Sequence, residues 1–161
     1  MVDPDPVTCE RLRKLSADYA AAVDGRSAEA LRRLFTPDAT LTVRDLVTGE
    51  TRERRGVDAI AGIPAVLEDR YAITVHLLGQ SRYRMLDAHT AEGEVLCEAH
   101  HHVGTPGEAA VDRIQHIRYR DRYRGGDHGW LIAERSVEVR FTSEVPVPAR
   151  AGHPADGELA T

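Results

Sequence analysis

The sequence is poor in cysteine, tryptophan and lysine, and it contains no long apolar run. Its two cysteines, Cys9 and Cys97, lie far apart and outside any C-x-x-C motif, which argues against a disulfide framework and cysteine metal sites. We expect two free thiols in a reducing compartment. No segment has the apolar length needed to cross a membrane, and the first residues lack the pattern of a secretion signal. The sequence therefore predicts a cytoplasmic protein without a membrane partner.

Net positive charge is also missing. The 161 residues include 26 acidic and 21 basic side chains, and the net charge is -5. Phosphate binding normally requires a clustered positive surface, so we expect no nucleic-acid partner. The one arginine cluster alternates with tyrosine and aspartate, which in a strand places the arginines on a single face, turned to solvent or to another subunit: Arg118, Arg120, Arg122 and Arg124.

Motifs for common bound groups are absent as well. The sequence has no glycine-rich phosphate loop, no G-x-S-x-G elbow and no H-E-x-x-H motif. Nothing in it indicates a nucleotide, so we predict that the protein works without a cofactor.

Helical patterns dominate the first half of the chain. We predict a long helix ending at Asp24, a shorter one capped by Ser27 and a third over residues 56–70. Between the second and third helices, residues 39–43 alternate as a strand does, and residues 45–55 have the composition of a polar turn.

Strand patterns dominate the second half. Four β-rich segments are separated by short turns, over residues 72–86, 90–103, 111–124 and 129–145. Strands joined by short links pair antiparallel, and helices followed by strands are typical of an α+β fold. We predict one domain over residues 1–146 and a flexible C-terminal tail over residues 147–161.

One imidazole interrupts the apolar strand pattern at residues 73–79, that of His76. A histidine in such a run is costly unless its nitrogens are hydrogen-bonded or take part in chemistry. Because most buried histidines are satisfied core residues, His76 by itself leaves both interpretations open.

Two further charged residues stand in unusual places. Asp24 puts a carboxylate at the negative end of a helix dipole, which we expect to raise its pKa and to suit a base or a partner of histidine. The alternative is a simple helix-ending turn. Arg135 projects from an otherwise apolar strand face, either towards an anionic ligand or as half of a structural ion pair.

Three consecutive histidines raise the question of a metal site. His100 and His102 share a strand face with Glu98, whereas His101 points to the opposite, small-residue face. The nearby acid and the later histidine that usually complete such a site are missing, so we predict no metal. His101 is the better candidate for a pocket residue.

Six short motifs follow one another in the order found in one protein family. They are Tyr-Ala-Ala-Ala-Val-Asp at residues 19–24, Leu-Phe-Thr-Pro-Asp-Ala at 34–39, Thr-Val-His-Leu-Leu-Gly at 74–79, Ala-His-His at 99–101, Tyr-Arg-Asp-Arg-Tyr at 119–123 and Gly-Trp-Leu-Ile-Ala-Glu-Arg at 129–135. In these motifs the chain resembles the SnoaL-like branch of the nuclear transport factor 2-like superfamily, over about residues 8–146.

The resemblance implies a cone-shaped α+β fold, an α+β barrel in which N-terminal helices pack on a curved antiparallel sheet around one apolar pocket. Enzymes of the superfamily include scytalone dehydratase, bile-acid 7α-dehydratase and hexachlorocyclohexane dehydrochlorinase. Residues that match the shared acid-base apparatus are implied to be catalytic: Asp24, His76, Arg135, Tyr19 and His101. We predict a second set of residues to bind substrate: Thr74, Leu78, Val95, Cys97, Ala99, Tyr119 and Val137.

The implied function is that of a cofactor-independent dehydratase, other lyase or isomerase. Its substrate would be a small hydrophobic ring compound, such as a polyketide, terpenoid or steroid intermediate. His76 would abstract a proton while Asp24 holds its tautomer, and Arg135 would stabilise the developing negative charge. Tyr19 or His101 would donate to a substrate oxygen.

Two alternatives stay open at this point. One is a polyketide cyclase or epoxide hydrolase that uses the same pocket, and the other is a non-catalytic small-molecule-binding protein. Catalysis predicts that Asp24 lies within hydrogen-bond reach of His76. Relatives form dimers and trimers, so we expect a homodimer or a homotrimer.

Overall fold

The computed structural model describes residues 2–105, 108–126 and 129–149 of the chain. Its helices are α1 (Pro6–Asp24), α2 (Ala28–Arg32), α3 (Val57–Ala61) and α4 (Ile63–Glu68). Its strands are β1 (Phe35–Asp45), β2 (Thr51–Arg55), β3 (Ile73–Met85), β4 (Thr90–Val103), β5 (Ala110–Gly126) and β6 (Gly129–Val147).

Helix α1 is capped at its start by Asp5 and ends at Asp24, as predicted. The Asp5 carboxylate accepts hydrogen bonds from the N–H groups of Val7 and Thr8 at 2.9 and 3.2 Å. At the other end the N–H of Gly25 donates to the Ala21 carbonyl at 2.9 Å. One face of the helix is buried against the sheet: Leu12, Leu15, Ser16, Tyr19, Ala20, Ala22 and Val23. This packing brings Asp24, the last helical residue, to the sheet.

Two segments differ from their predicted form. Residues 56–70 contain α3 and α4 instead of one helix, because Pro64 lacks an N–H and fits the first turn of a new helix starting at Ile63. Residues 45–55 contain strand β2. Its side chains are mostly exposed at a sheet edge, so the alternation that reveals a half-buried strand is missing.

The sheet has the strand order β2-β1-β6-β5-β4-β3. Four pairings are antiparallel as predicted, but β1 and β6 are parallel, so the prediction of a wholly antiparallel sheet is wrong. A tight turn forces antiparallel pairing only on strands that follow one another, and β1 and β6 are separated by most of the chain. Bulges in β3 and β6 bend these long strands. The predicted α+β cone, with helices packed on a curved sheet, is confirmed.

The inner face of the sheet carries the core, and the outer face carries polar and exposed apolar side chains. In β4 the alternation follows prediction, since Ala99 and His101 are buried while His100 and His102 lie on the opposite face. Strand β6 extends to Val147, one residue past the predicted domain end. Residues 150–161 of the predicted tail lie outside the described residues.

Candidate active site

Asp24 and His76 form a hydrogen-bonded pair where α1 meets β3. The imidazole Nδ1 of His76 lies 2.7 Å from Asp24 Oδ1, and the backbone N–H of His76 donates to Oδ2 at 2.8 Å. Strand β3 is an edge strand, so the carboxylate provides an acceptor for an amide that no neighbouring strand serves. The His76 and Asp24 side chains are 8% and 25% exposed, which places the pair just beneath the surface.

A third hydrogen bond holds the carboxylate. The hydroxyl of Thr74 donates to Asp24 Oδ1 at 2.9 Å. Burial would raise the pKa of Asp24, but the hydrogen bonds from the His76 side chain and backbone and from Thr74 outweigh it and lower this pKa below its ordinary value. The prediction of a raised pKa is therefore wrong. Asp24 is an anion at neutral pH and is suited to orient His76 instead of acting as the base.

The second ring nitrogen of His76 is left available. Among the residues that the structure describes, Nε2 of His76 has no hydrogen-bond partner. A neutral imidazole that donates Nδ1–H to a carboxylate carries its lone pair on Nε2. The pair can thus present a base whose tautomer is set by Asp24.

His101 lies beside this pair on strand β4. Its ring centroid is 6.1 Å from that of His76 and 4.6 Å from that of Tyr71. Its Nδ1 lies 3.3 Å from the carbonyl oxygen of Arg113. Burial, followed by the nearby His76, lowers the pKa of His101 to about 4. His101 is consequently neutral at physiological pH and can exchange hydrogen bonds but carries no charge.

Arg135 is buried as half of an ion pair, the alternative considered for it above. Its Nε and Nη2 donate to Asp121 at 2.8 and 2.6 Å, and Nη2 also donates to Ser16 at 3.0 Å. The guanidinium carbon lies 4.2 Å from the ring centroid of Tyr19 and 4.4 Å from that of Tyr119. One donor atom, Nη1, is buried and has no hydrogen-bond partner in the part of the chain that the structure describes. Arg135 is therefore held in a fixed position, and the two N–H bonds of Nη1 are left to donate to another group.

Sequence reasoning missed four residues of this neighbourhood, namely Asp121, Ser16, Tyr71 and Arg26. A signal existed for Asp121, because an outward arginine row in β5 requires the intervening residues to face inward. The other three depend on contacts between distant segments. The hydroxyl of Thr74, for example, accepts a hydrogen bond from Arg26 at 2.7 Å.

The residues predicted to bind substrate are almost all buried on the inner face. Leu78 is partly buried, and the hydroxyl of Thr74 already donates its proton to the Asp24 carboxylate. Tyr119 donates to the Cys97 sulfur at 3.6 Å, and burial raises the pKa of the Cys97 thiol to about 11. The thiol is therefore protonated and unreactive, and it contributes only its surface to the site. The remaining members are packed in the core: Val95, Ala99 and Val137.

Two concave surfaces, both distinct from the Asp24–His76 pair, lie on the outer face of the sheet. One, of about 1030 Å³, has a largely charged lining that includes Arg120, Arg122 and Glu94. The other, of about 300 Å³, is apolar and lies beside His100 and His102. His100 has its own carboxylate partner, since its Nδ1 is 2.6 Å from Asp112.

Neither a metal cluster nor a spanning helix is found in the described part of the chain. Within residues 2–105, 108–126 and 129–149, no group of three or more potential ligand side chains comes together. None of the helices described there combines the length and the apolar character required to cross a membrane.

Comparison with known proteins identifies the family of the chain. A family model for the SnoaL-like domain matches residues 9–136, more than half of the chain. The chain belongs to the SnoaL-like domain family. This match confirms the resemblance indicated by the six motifs, and the matched segment contains Asp24, His76 and Arg135.

One sequence relative and two solved structures are similar to this SnoaL-like protein. Rv2910c, an uncharacterized protein of Mycobacterium tuberculosis, is 29% identical over 136 residues, which are 80% of this chain and 82% of the relative. The hexachlorocyclohexane dehydrochlorinase LinA-type3 of Novosphingobium barchaimii superposes with a TM-score of 0.71 at 17% identity, covering 86% of this chain and 90% of its own. A provisional scytalone dehydratase of Novosphingobium aromaticivorans gives 0.73 at 19% identity, covering 89% and 91%. These likenesses establish the shared fold.

The burial of His101 predicts a pH dependence of stability. Its pKa is about 4 in the folded protein and about 6.5 in an unfolded chain, so the unfolded state binds more protons between these values. This site should therefore reduce the unfolding free energy by up to about 3 kcal/mol as the pH falls from about 6.5 to about 4. Urea unfolding at a series of pH values measures this change.

Two variants isolate the contribution of His101. We expect His101→Phe, which keeps a ring against Tyr71, to lose this part of the pH dependence. His89→Gln, at an exposed histidine, should behave as the unmodified protein does. Equal pH dependence in the unmodified protein and in His101→Phe would show that His101 is not held neutral by the fold.

Proposed function

We propose that this protein is a cofactor-independent acid-base enzyme, a dehydratase or other lyase, or an isomerase. The observation that carries the proposal is the bidentate contact between Asp24 and His76, with both the ring Nδ1 and the backbone N–H on one carboxylate. A carboxylate in this position orients the imidazole and stabilises the imidazolium that forms when the ring takes up a proton.

The proposed reaction begins at Nε2 of His76. This atom removes a proton from a carbon of the substrate, and the electron pair of the broken C–H bond moves into a new double bond. In an elimination the leaving group departs with its own electron pair, and in an isomerisation the proton returns to another carbon. Asp24 remains an anion throughout, as its lowered pKa favours.

Other side chains of the site would stabilise the charge that develops on the substrate. The neutral ring of His101 is 6.1 Å from His76, centroid to centroid, and its Nδ1–H faces the carbonyl oxygen of Arg113, so its Nε2 would accept a hydrogen bond from a substrate hydroxyl instead of donating one. Nη1 of Arg135, which has no partner among the described residues, is one candidate donor, although Asp121 neutralises much of the charge of this guanidinium. We place Tyr19, whose ring packs on Arg135, as the second candidate donor.

The proposed substrate class is a small hydrophobic ring compound. Apolar and aromatic side chains dominate the inner face around the pair, and they favour a substrate with few polar groups. The names of the two fold neighbours, a dehydrochlorinase of hexachlorocyclohexane and a provisional scytalone dehydratase, also point to eliminations on rings.

Two other functions are compatible with the same contacts. Cyclisation of a polyketide or hydrolysis of an epoxide needs the same oriented base and differs in the electrophile that is attacked. A non-catalytic binding protein is favoured by one finding, since the two concave surfaces described above lie away from Asp24 and His76. We rank this second, because the pair of Asp24 and His76 lies on the inner face, where an oriented imidazole is suited to proton transfer.

Hydrogen-deuterium exchange into candidate substrates tests the proposal. Cyclic ketones, cyclic alcohols and chlorinated cyclohexanes would be incubated in heavy water, and deuterium incorporation and elimination products followed by mass spectrometry. His76→Ala should reduce the rate on any accepted compound by about 10²–10⁴-fold, because it removes the base.

The outer-face pair of His100 and Asp112 supplies a matched control. His100→Ala removes an imidazole of similar partnering, 2.6 Å from its carboxylate, on the opposite face of the sheet. It should leave the rate unchanged. Equal rates in His76→Ala and in the unmodified protein, on a compound that the protein turns over, would refute the assignment of the base.

We also propose that the protein is a homo-oligomer joined through the outer face at one end of the sheet. Val75, Leu77 and Phe141 are 44%, 53% and 53% exposed there. Leu77 and Phe141 lie in one cross-strand row through Glu98 and His116. Exposed apolar side chains on either side of Glu98 and His116 are best covered by a second copy.

Light scattering coupled to gel filtration tests this assembly. Leu77→Arg should shift the mass of the particle to that of a single chain, because a charge would be buried at the contact. Leu46→Arg, at a leucine that is 58% exposed elsewhere, should keep the assembly. A single-chain mass for the unmodified protein would contradict the proposal.

A further inference from the structure

Arg26 has an unusual backbone conformation next to the candidate site. Its φ is 54°, and among the described residues it is the one non-glycine residue with a positive φ. This left-handed conformation is costly for residues other than glycine, asparagine and aspartate. An arginine kept in such a place indicates that its side chain makes contacts that offset the cost.

The guanidinium of Arg26 connects three segments around the Asp24–His76 pair. Nη1 donates to the carbonyl oxygen of Val23 and to the hydroxyl of Thr74, both at 2.7 Å. Nη2 donates to the carbonyl oxygen of Tyr71 at 3.2 Å. The contacts therefore join the last turn of α1, the start of β3 and the segment that precedes β3.

The Thr74 hydroxyl links Arg26 to the carboxylate of Asp24. It accepts from Arg26 and donates to Asp24 Oδ1 at 2.9 Å. Because a hydroxyl has one proton, accepting from Arg26 on a lone pair directs that proton towards Asp24. A continuous series of hydrogen bonds then runs from Arg26 through Thr74 and Asp24 to His76.

Tyr71 carries a second branch from the same guanidinium. Arg26 donates a hydrogen bond to the carbonyl oxygen of Tyr71. The ring of Tyr71 in turn lies 4.6 Å from the ring of His101, centroid to centroid. The two imidazoles of the site are thus both connected to one arginine, through Thr74 on one side and through Tyr71 on the other.

We propose that Arg26 is a positioning residue that fixes the Asp24 carboxylate against His76 through Thr74, and the Tyr71 ring against His101. Its importance for catalysis rests on the proposed function, whereas the positioning itself is a property of the folded protein. The planar guanidinium suits the task, because it reaches three acceptors in fixed directions as a lysine ammonium on a flexible stem does not.

The backbone amide of His76 reports directly on this positioning. Its N–H donates to Asp24 Oδ2, so its hydrogen exchange slows only while the carboxylate stays in place. Exchange is measured residue by residue in the full chain by NMR and requires no substrate. The amide of Ile117, in the interior strand β5, serves as an internal reference.

Arg26→Gly separates positioning from stability. Glycine adopts a positive φ freely, so the relief of backbone strain should offset the lost hydrogen bonds and keep the midpoint of thermal unfolding about unchanged. Exchange of the His76 amide should nevertheless become about tenfold faster, since the carboxylate loses its support. Arg26→Lys should restore part of the protection. Arg33→Gln, at an exposed arginine that is paired with Glu29, should change neither measurement.

Thr74→Val removes the middle of the series while keeping the shape of the side chain. It should also speed exchange at His76 by about tenfold, and the pKa of Asp24 measured by carboxyl NMR should rise, because a donor to the anion is lost. If both Arg26→Gly and Thr74→Val leave His76 exchange at the unmodified rate, the positioning role is wrong.

The outcome is independent of the proposed enzyme activity. Faster exchange in a protein for which no substrate is ever turned over would support positioning and count against catalysis. Unchanged exchange together with loss of turnover in His76→Ala would refute the positioning role and leave the base in place.

Discussion

The carboxylate of Asp24 is the point on which the site depends. It ends helix α1 and accepts hydrogen bonds from the Thr74 hydroxyl and from the backbone and ring of His76 at 2.9, 2.8 and 2.7 Å. These bonds attach the helix to an edge strand and at the same time set the tautomer of the imidazole. One anion thus joins the two layers of the fold and orients the imidazole, so the same contacts stabilise the fold and arrange the candidate site.

A second buried charge lies deeper in the cone. The ion pair of Arg135 and Asp121 is fully enclosed, and Ser16 and the rings of Tyr19 and Tyr119 complete its surroundings. Removing one partner of such a pair typically costs about 3–5 kcal/mol, because the remaining charge stays buried. The pair therefore ties α1 to β5 and β6, while the Asp24–His76 pair ties the end of α1 to β3. Both charged contacts fix the same helix against the inner face.

Much of this arrangement could be predicted from the sequence. An imidazole in an apolar strand, a carboxylate at a helix end and a lone arginine on a buried face are local anomalies, and each of His76, Asp24 and Arg135 was recognisable by its neighbours in the chain. Alternation placed His101 inside and His100 outside. The family motifs predicted that these three residues belong to one site.

The remainder depends on contacts between distant segments. The parallel pairing of β1 with β6, the strand β2 and the two short helices α3 and α4 leave weak or misleading local patterns. The lowered pKa of Asp24 follows from donors on β3, which sequence position alone did not reveal. Arg26 and Tyr71 look like ordinary loop residues until the fold brings them beside Thr74 and His101.

The central claim is that Asp24 holds the ring of His76 with its proton on Nδ1 and its lone pair on Nε2. Nitrogen-15 NMR of the labelled imidazole measures this directly in the full chain. The account predicts that the neutral ring of His76 is protonated at Nδ1, and that this preference disappears in Asp24→Asn. A proton on Nε2, or an average of the two tautomers in the unmodified protein, would contradict it.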